Sequence, residues 1–586
     1  MKKENIIFLI VIAIVLFYVS NRAGLIYHTS TASTMLDKLE VVSIEIGKIF
    51  NDIYISLAIE DLLWGVYGLL AYSLLVIYMI FSHKNYMAGK EHGSARWGNS
   101  TDIAKLIDKK YDNNMLFTMT ERMSLNTRKT MKNNNTCVIG GTGTGKTRFV
   151  VKPNLMQLHS SYIITDPKGS LISETGKMFE DAGYVIKTVN LIDFSLSMHY
   201  NPFEYIEKEE DILTLANLIV TNLKDKDEKK DFFVNSELAL YQSFIAYIYY
   251  ELPKEEQTFE SFIAFANKMR AGGDEFKSDI DVIMEELEER KPDHLAVLQY
   301  KSYKEAALET QQSIIASINV RLAPFKLSAV QDLLCKDDLD LRSIGDRKTV
   351  LYIITDDTSP TFNFIAAFMY TQLFSILCHR ADTTYSNLGS RLPVHVRCIL
   401  DEFANIGQIP NFDKLIATIR SREISTTIIL QNNSQLDVVY GREQARNIIS
   451  NCDTTLFLGT GDYNTMKYIS ERVGKATIDH RGTSTRKGIN GDFTVSDQII
   501  GRELVTPGEV GLLKNDECIL FIRGLPPFKS RKFKLETHRR YRQLSDYNSK
   551  NRFDINEYKN RLDKEIEELD NYIEELNNIE MLKWYY

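Results

Sequence analysis

Cysteine is scarce in this 586-residue chain, and its placement excludes two kinds of staple. The six thiols, Cys137, Cys335, Cys378, Cys398, Cys452 and Cys518, are scattered through mostly apolar runs, and no two stand in CxxC spacing. Neither zinc nor a disulfide framework is signalled, and reduced, buried thiols are the reading that remains. An excess of positive charge is also missing. Seventy Lys and Arg against 78 Asp and Glu give a formal net charge of −8 and a pI near 5.8. The molecule therefore has no global attraction for nucleic acid, and any contact with DNA has to be local, in a pore or a patch. Internal repeats and low-complexity linkers are absent too. The length exceeds what one compact core organises, so two or three folded regions are expected.

Long apolar runs are present, and they open the chain. "NIIFLIVIAIVLFYVSN" and "LLWGVYGLLAYSLLVIYMIF" (Leu62 to Phe81) each approach the roughly twenty residues that a spanning helix needs. Both are read as transmembrane, and a cleaved leader is the alternative for the first. Lys2 and Lys3 precede the first run; His83, Lys84, Lys90 and Arg96 follow the second. Between them Arg22, Lys38 and Lys48 are mixed with acids, so the bias of basic residues puts both ends in the cytoplasm with a loop of about forty residues outside.

From about Gly93 short β-rich runs alternate with helical stretches. They begin at "TCVIG", "SYIIT", "YVIKTV", "TVLYIIT", "VHVRCIL", "STTIIL", "TTLFLG" and "ECILFIRG". Several are apolar without alternation, as strands covered on both faces are, which predicts a mostly parallel α/β sheet. Between about Glu204 and Leu333 only helical periodicity occurs, and this interval reads as an inserted all-α region. The boundaries expected are an anchor over 1–92, a nucleotide-binding domain over 93–203 and 334–540 interrupted by the all-α domain 204–333, and an acidic helical tail over 541–586. That tail sets Ile566, Leu569, Ile573 and Leu576 at 3–4 spacing, suited equally to docking or to a solvated helix.

The chemistry is carried by "CVIGGTGTGKTRFVV". Gly140, Gly141, Thr142, Gly143, Thr144, Gly145, Lys146 and Thr147 fit G-x-x-x-x-G-K-[ST] between a strand and a helical run. Glycines let backbone amides face phosphate oxygens, Lys146 reaches the β/γ-phosphates, and the Thr147 hydroxyl is suited to Mg²⁺. A second strand, "VHVRCILDEFANIG", ends in Asp401 and Glu402, the first suited to holding Mg²⁺ and the second to polarising an attacking water. Gln431 ends a further apolar run, where its amide can report on the γ-phosphate. Arg420 and Arg422 stand between these elements, and spacing alone does not choose between a phosphate contact and an ordinary surface role for either. Asp166 and Lys168 follow the second strand, bordering the pocket or organising a helix start.

With these residues in place the chain resembles the membrane-anchored coupling proteins of type IV secretion systems, the TraG/TraD-like ATPases. The two spans, "EHGSARWG", "GGTGTGKT", "DPKGSL", "YNPF", "ILDEFANIG", "LQNNSQL" and "GLPPF" carry the likeness in order up to about Arg540. It implies a RecA-like P-loop motor with an inserted all-α domain, using ATP and Mg²⁺ as a homo-hexameric ring. It further implies that single-stranded DNA, with its attached relaxase, is moved to the secretion channel in the cytoplasmic membrane. Arg420 falls on the position of an arginine that reaches the neighbouring subunit's nucleotide. The stretch around Phe233 and Val234 departs from the pattern, which usually has tryptophan there. An FtsK/SpoIIIE-like chromosomal translocase would ordinarily have more spans and a long linker; a substrate receptor using ATP only structurally is the third reading. The basic stretches "KSRKFK" and "HRRYR" read as solvated surface, with DNA contact the alternative.

Overall fold

A computed structural model describes residues 3–81, 90–223, 232–270, 277–485, 493–565 and 567–568. The chain divides into two units, Met1–Glu91 with Asp479–Ile499, and His92–Ile478 with Ile500–Tyr586.

The first unit is built on two long helices, Lys3–Thr29 and Ile59–Phe81. Both contain windows apolar and long enough to cross a membrane, Phe8–Thr29 and Ile59–Met79, and only 33% and 6% of those windows is buried. Small residues let the helices approach closely. A Cβ at Gly65 would stand 2.6 Å from the Phe17 ring, and one at Gly68 would stand 2.1 Å from Ser20 Oγ. Polar groups close one end of the hairpin. Asn21 exchanges two hydrogen bonds with the Ser56 backbone, at 2.9 and 3.0 Å, and Asp61 is bonded by His28 and the Ser56 hydroxyl.

The second unit is organised by a nine-stranded sheet. Its strands, in chain order, are β1 (Thr136–Gly140), β2 (Ser161–Asp166), β3 (Val185–Asn190), β4 (Thr349–Ile354), β5 (Val396–Leu400), β6 (Ile424–Leu430), β7 (Thr454–Gly459), β8 (Glu517–Ile522) and β9 (Phe528–Arg531). The spatial order is β9-β8-β7-β1-β6-β5-β2-β4-β3. Seven strands from β7 to β3 are parallel, β8 adds antiparallel to the β7 edge and β9 antiparallel to β8. The eight sequence-predicted β runs coincide with β1 to β8. Apolar clusters cover both faces, which explains why these strands do not alternate.

Between β3 and β4 the described residues are helical, with helices at Glu209–Leu223, Phe232–Glu251, Phe259–Lys268, Asp279–Arg290, Leu295–Lys304, Leu308–Arg321 and Ser328–Leu334. Their core is continuous with that of one sheet face. A third helix is apolar enough for a membrane, over Pro360–Asp382, but 72% of its window is buried in this core.

Several details differ from the sequence reading. Short strands Asn114–Leu116 and Arg122–Ser124 pair, as do Lys475–Thr485 and Phe493–Glu503; they carry too little apolar signal to have been singled out. "KSRKFK" is not simply solvated surface: Lys529–Arg531 lies in β9, and Lys532 is buried. In "HRRYR", His538 is buried and Arg539 and Arg540 both pair with Asp112. The stretch after Tyr541 begins as part of the fold. Phe553 fills the space over Gly176, where a Cβ would stand 2.5 Å from the ring, and the Tyr558 hydroxyl accepts the Ile186 amide. Helix resumes at residue 555. The expected apolar positions Ile566, Leu569, Ile573 and Leu576 lie outside the described residues.

Candidate nucleotide site

The carboxyl ends of β1, β6 and β5 stand side by side, so loops distant in sequence converge at one edge of the sheet. β6 lies between the other two: Ile139 pairs with Leu430 and Leu400 with Ile428. Gln431 therefore emerges between the glycine-rich loop and the Asp401–Glu402 pair.

The loop after β1 turns through left-handed backbone at Gly143 (φ 77°) and Gly145 (φ 83°), which side chains disfavour. A Cβ at Gly145 would stand 2.4 Å from the Phe149 ring, and one at Gly140 would stand 2.5 Å from Thr144 Oγ1. The expected helical run after the loop starts as one π turn, Thr147–Val151, and continues as Lys152–Leu155. Such turns are rare and concentrate at functional sites. Lys532, in the run "KSRKFK" read as solvated surface or a DNA contact, donates from Nζ to the Thr144 carbonyl at 3.0 Å and lies 5.6 Å from the Phe149 ring centre. It braces the loop from the end of β9, and burial lowers its pKa. A lysine inside a basic run carries no sequence signal for that task.

The Lys146 ammonium is buried, donates to the Gly140 carbonyl at 3.1 Å and lies 3.2 Å from Glu402 Oε1. Gln431 Nε2 donates to Glu402 Oε2 at 3.1 Å, so one carboxylate spans the lysine and the glutamine. Glu402 itself sits in the left-handed region (φ 50°, ψ 47°), a conformation costing an L-residue roughly 1–2 kcal/mol. Strain of this kind is kept where the surroundings enforce it. Here the Asp401 carboxylate accepts the Glu402 amide at 3.0 Å, and Phe403 is buried behind it.

Thr147 Oγ1 donates to Asp401 Oδ2 at 3.2 Å. Two oxygens adjacent on an octahedral Mg²⁺, with bonds of about 2.1 Å, lie about 3.0 Å apart, so this pair fits a shared cation. Burial, and next the charge of Glu402, push the Asp401 carboxyl up to about 6, against the pull of Lys146, the Glu402 amide and Thr147. A cation would reverse that balance.

These groups line a cleft of about 510 Å³ together with Arg148, Lys168, Asp357 and Asn405. Lys168 is the residue expected to border the pocket, Asn405 ends the 3-10 turn Phe403–Asn405 that follows Glu402, and Asp357 has no sequence signal of its own. Asp166 lines the cleft and also starts the helix Ser170–Asp181, accepting the amides of Leu171 (2.7 Å) and Ile172 (3.3 Å). Burial raises its carboxyl. Both sequence alternatives for Asp166 thus hold.

Arg420 is not brought to this cleft. It sits in the turn Ile419–Arg422 before β6, at the opposite end of the strand from Gln431. Seven residues at about 3.3 Å each place it about 20 Å away. Its Nη2 donates to the Thr127 carbonyl at 3.2 Å. Arg422, in contrast, is clamped by Asp382 through Nε and Nη2.

Residues 96–554 match the family described as Type IV secretory system Conjugative DNA transfer. The chain is 24% identical over 418 residues to Protein VirD4 of Rhizobium radiobacter, covering 70% of this chain and 58% of that protein. It is 23% identical over 402 residues to the Conjugal transfer protein TraG of the same organism, covering 67% and 60%. The chain thus spans about three fifths of the length of these curated relatives. The solved bacterial conjugative coupling protein TrwBdeltaN70 superposes with a TM-score of 0.53 at 15% identity, over 75% of this chain and 92% of that one. TrwB in complex with ADP and Mg²⁺ gives 0.52 at 16%, over 75% and 94%. At these identities the structural likeness is one of fold, a mostly parallel sheet with helices, while the match over 96–554 places the chain in the type IV secretory system conjugative DNA-transfer family, that of the coupling proteins.

Proposed function

We propose that this protein is a membrane-anchored ATPase that recruits single-stranded DNA, with its relaxase, and drives it toward a type IV secretion channel during conjugation. One observation carries the reading. In a chain of the DNA-transfer family, Lys146, Thr147, Asp401, Glu402 and Gln431 meet at the ends of three neighbouring strands, linked through Glu402 and Asp401 by hydrogen bonds and an ion pair.

The loop amides from Gly141 to Thr147 and the Lys146 ammonium bind the triphosphate. Thr147 and Asp401 hold Mg²⁺, which when bound supplies charge neutralisation at the phosphates. Glu402 turns from Lys146 toward an attacking water and takes its proton; Gln431, bonded to the same carboxylate, senses whether the terminal phosphate is in place. Arg420 completes the site of a neighbouring subunit in a hexameric ring, because its own cleft is out of reach. The helices Lys3–Thr29 and Ile59–Phe81 anchor the motor in the cytoplasmic membrane with the site inside the cell. DNA is held through phosphate and sugar, so transport tolerates any sequence.

The test is hydrolysis by the full chain in detergent or nanodiscs with ATP and Mg²⁺, with and without single-stranded DNA, beside mating assays of Lys146→Ala. Stimulated hydrolysis and a transfer defect are expected. Undetectable hydrolysis together with normal transfer by Lys146→Ala would sink the motor reading.

A further inference from the structure

The helical stretch between β3 and β4 enters and leaves through a narrow neck. Two backbone hydrogen bonds cross it, from the Tyr200 amide to the Leu333 carbonyl at 2.8 Å and from the Asp338 amide to the His199 carbonyl at 3.0 Å. They hold His199, on the entering segment, beside the end of the helix Ser328–Leu334 on the leaving one. Asp332 and Cys335 are one helical turn apart at that end, so both project to the same side. A ring nitrogen of His199, a carboxylate oxygen of Asp332 and the sulfur of Cys335 all lie within 4.8 Å of one another. Among the described residues this is the one such group of His, Cys and acidic donors.

We propose that His199, Asp332 and Cys335 form a binding site for a divalent transition-metal ion of the zinc type, which clips the two legs of the neck together. Several features fit a ligand set rather than a chance meeting. His199 Nδ1 donates to the Asp338 carboxylate. With the proton on Nδ1, the lone pair is on Nε2, and a carboxylate behind the ring is the usual partner of a metal-binding histidine. His199 and Cys335 are half-buried, whereas Asp332 is exposed, so an ion has an open route to the site. All six cysteines are free thiols, which leaves the Cys335 sulfur available.

The donor chemistry selects the ion. One nitrogen, one sulfur and one oxygen suit Zn²⁺, Co²⁺ or Ni²⁺, while Mg²⁺ and Ca²⁺ prefer oxygen alone. Ligand atoms around a tetrahedral zinc lie about 3.5 Å apart, so closing the set from 4.8 Å takes a movement of at most about 1.3 Å, within reach of side-chain rotation. The fourth position is left for water. Binding forms the metal–sulfur bond and releases the thiol proton to solvent. The sequence lacks zinc-finger spacing because the ligands come from segments 133 residues apart (332 minus 199), joined only by the fold.

The test uses the full-length protein without a polyhistidine tag, purified in detergent, stripped with chelator and titrated with Co²⁺ and then Zn²⁺. One equivalent of Co²⁺ should produce thiolate-to-cobalt absorption that Zn²⁺ displaces. Cys335→Ser should remove that band, Asp338→Asn should weaken the metal affinity 10- to 100-fold, and Cys378→Ser should change nothing. A readout free of substitution is alkylation of Cys335 in the wild-type chain, followed by peptide mass spectrometry; Zn²⁺ should slow it at least about tenfold and Mg²⁺ should not. Absence of the band at one equivalent, its survival in Cys335→Ser, or unchanged alkylation under saturating Zn²⁺ would overturn the proposal.

Discussion

The two ends of β6 differ in a way that bears on how the molecule works. At its carboxyl end Gln431 joins a closed set of partners, in which Glu402 ties the glutamine to Lys146 and Asp401 ties Glu402 to Thr147. At its amino end Arg420 is half-buried and tethered to one carbonyl, while Arg422, two residues on, is bound by a carboxylate. The first end is preorganised within one chain. The second leaves a guanidinium, with its fixed charge and fork of donors, about 20 Å from its own cleft. The lesson is that one strand can place a residue inside a site at one end and carry another beyond that site's reach at the other.

Breaking the carboxyl-end cluster should have the largest effect. Lys146→Ala is expected to abolish ATP turnover while leaving the protein folded and membrane-inserted, read by phosphate release and by membrane fractionation. Arg420→Ala comes next, at about 10³-fold loss of turnover, the range for an arginine supplied across a subunit boundary. This variant sharpens the comparison. Mixed with Glu402→Gln, it should regain part of the activity, because one interface type then holds an intact glutamate and an intact arginine. Absence of recovery in verified mixed assemblies would return Arg420 to a structural role.

A pH titration probes the Asp401–Thr147 pair. The Asp401 carboxyl lies near 6, raised from its ordinary 3.8, so a cation that needs the carboxylate competes with a proton at mildly acidic pH. Mg²⁺-dependent nucleotide affinity should be full above about pH 7 and fall about tenfold per unit below 6, measured by calorimetry. Asp401→Asn should flatten that profile. The linkage for the unliganded fold has the opposite sense. The folded state holds the proton more tightly than the unfolded chain, so stability declines as pH rises from about 4 to about 6. The smallest effect is expected for Gln431→Ala, which removes one hydrogen bond of about 1 kcal/mol and should lower turnover about three- to tenfold, with nucleotide affinity little changed.

Hydropathy separated strands from helices well, because a strand buried on both faces leaves an unbroken apolar run, and eight such runs were legible. It does less well at separating a membrane from a core. Ile59–Met79 and Pro360–Asp382 both meet the length and composition of a span, yet only 6% of the first window is buried against 72% of the second. Composition measures a preference for leaving water, and lipid and protein interior satisfy it alike. Lys532 escapes a sequence reading for a related reason. A basic run looks solvated until the fold lays one of its ammonium groups on a loop carbonyl.

The local order of residues determined what could be said from short range: the glycines and lysine of the loop, the acidic pair closing an apolar strand, the apolar length of the first helices. Each depends on backbone conformation or burial within a few positions, which neighbouring residues dictate. Which strand lies between which, that Glu402 bridges Lys146 and Gln431, that Arg420 lies far from its own cleft, and that His199 meets Cys335 were decided by tertiary structure alone. Those pairings join positions up to hundreds of residues apart, and it is the packing of the whole sheet and its helices that brings them within bonding distance.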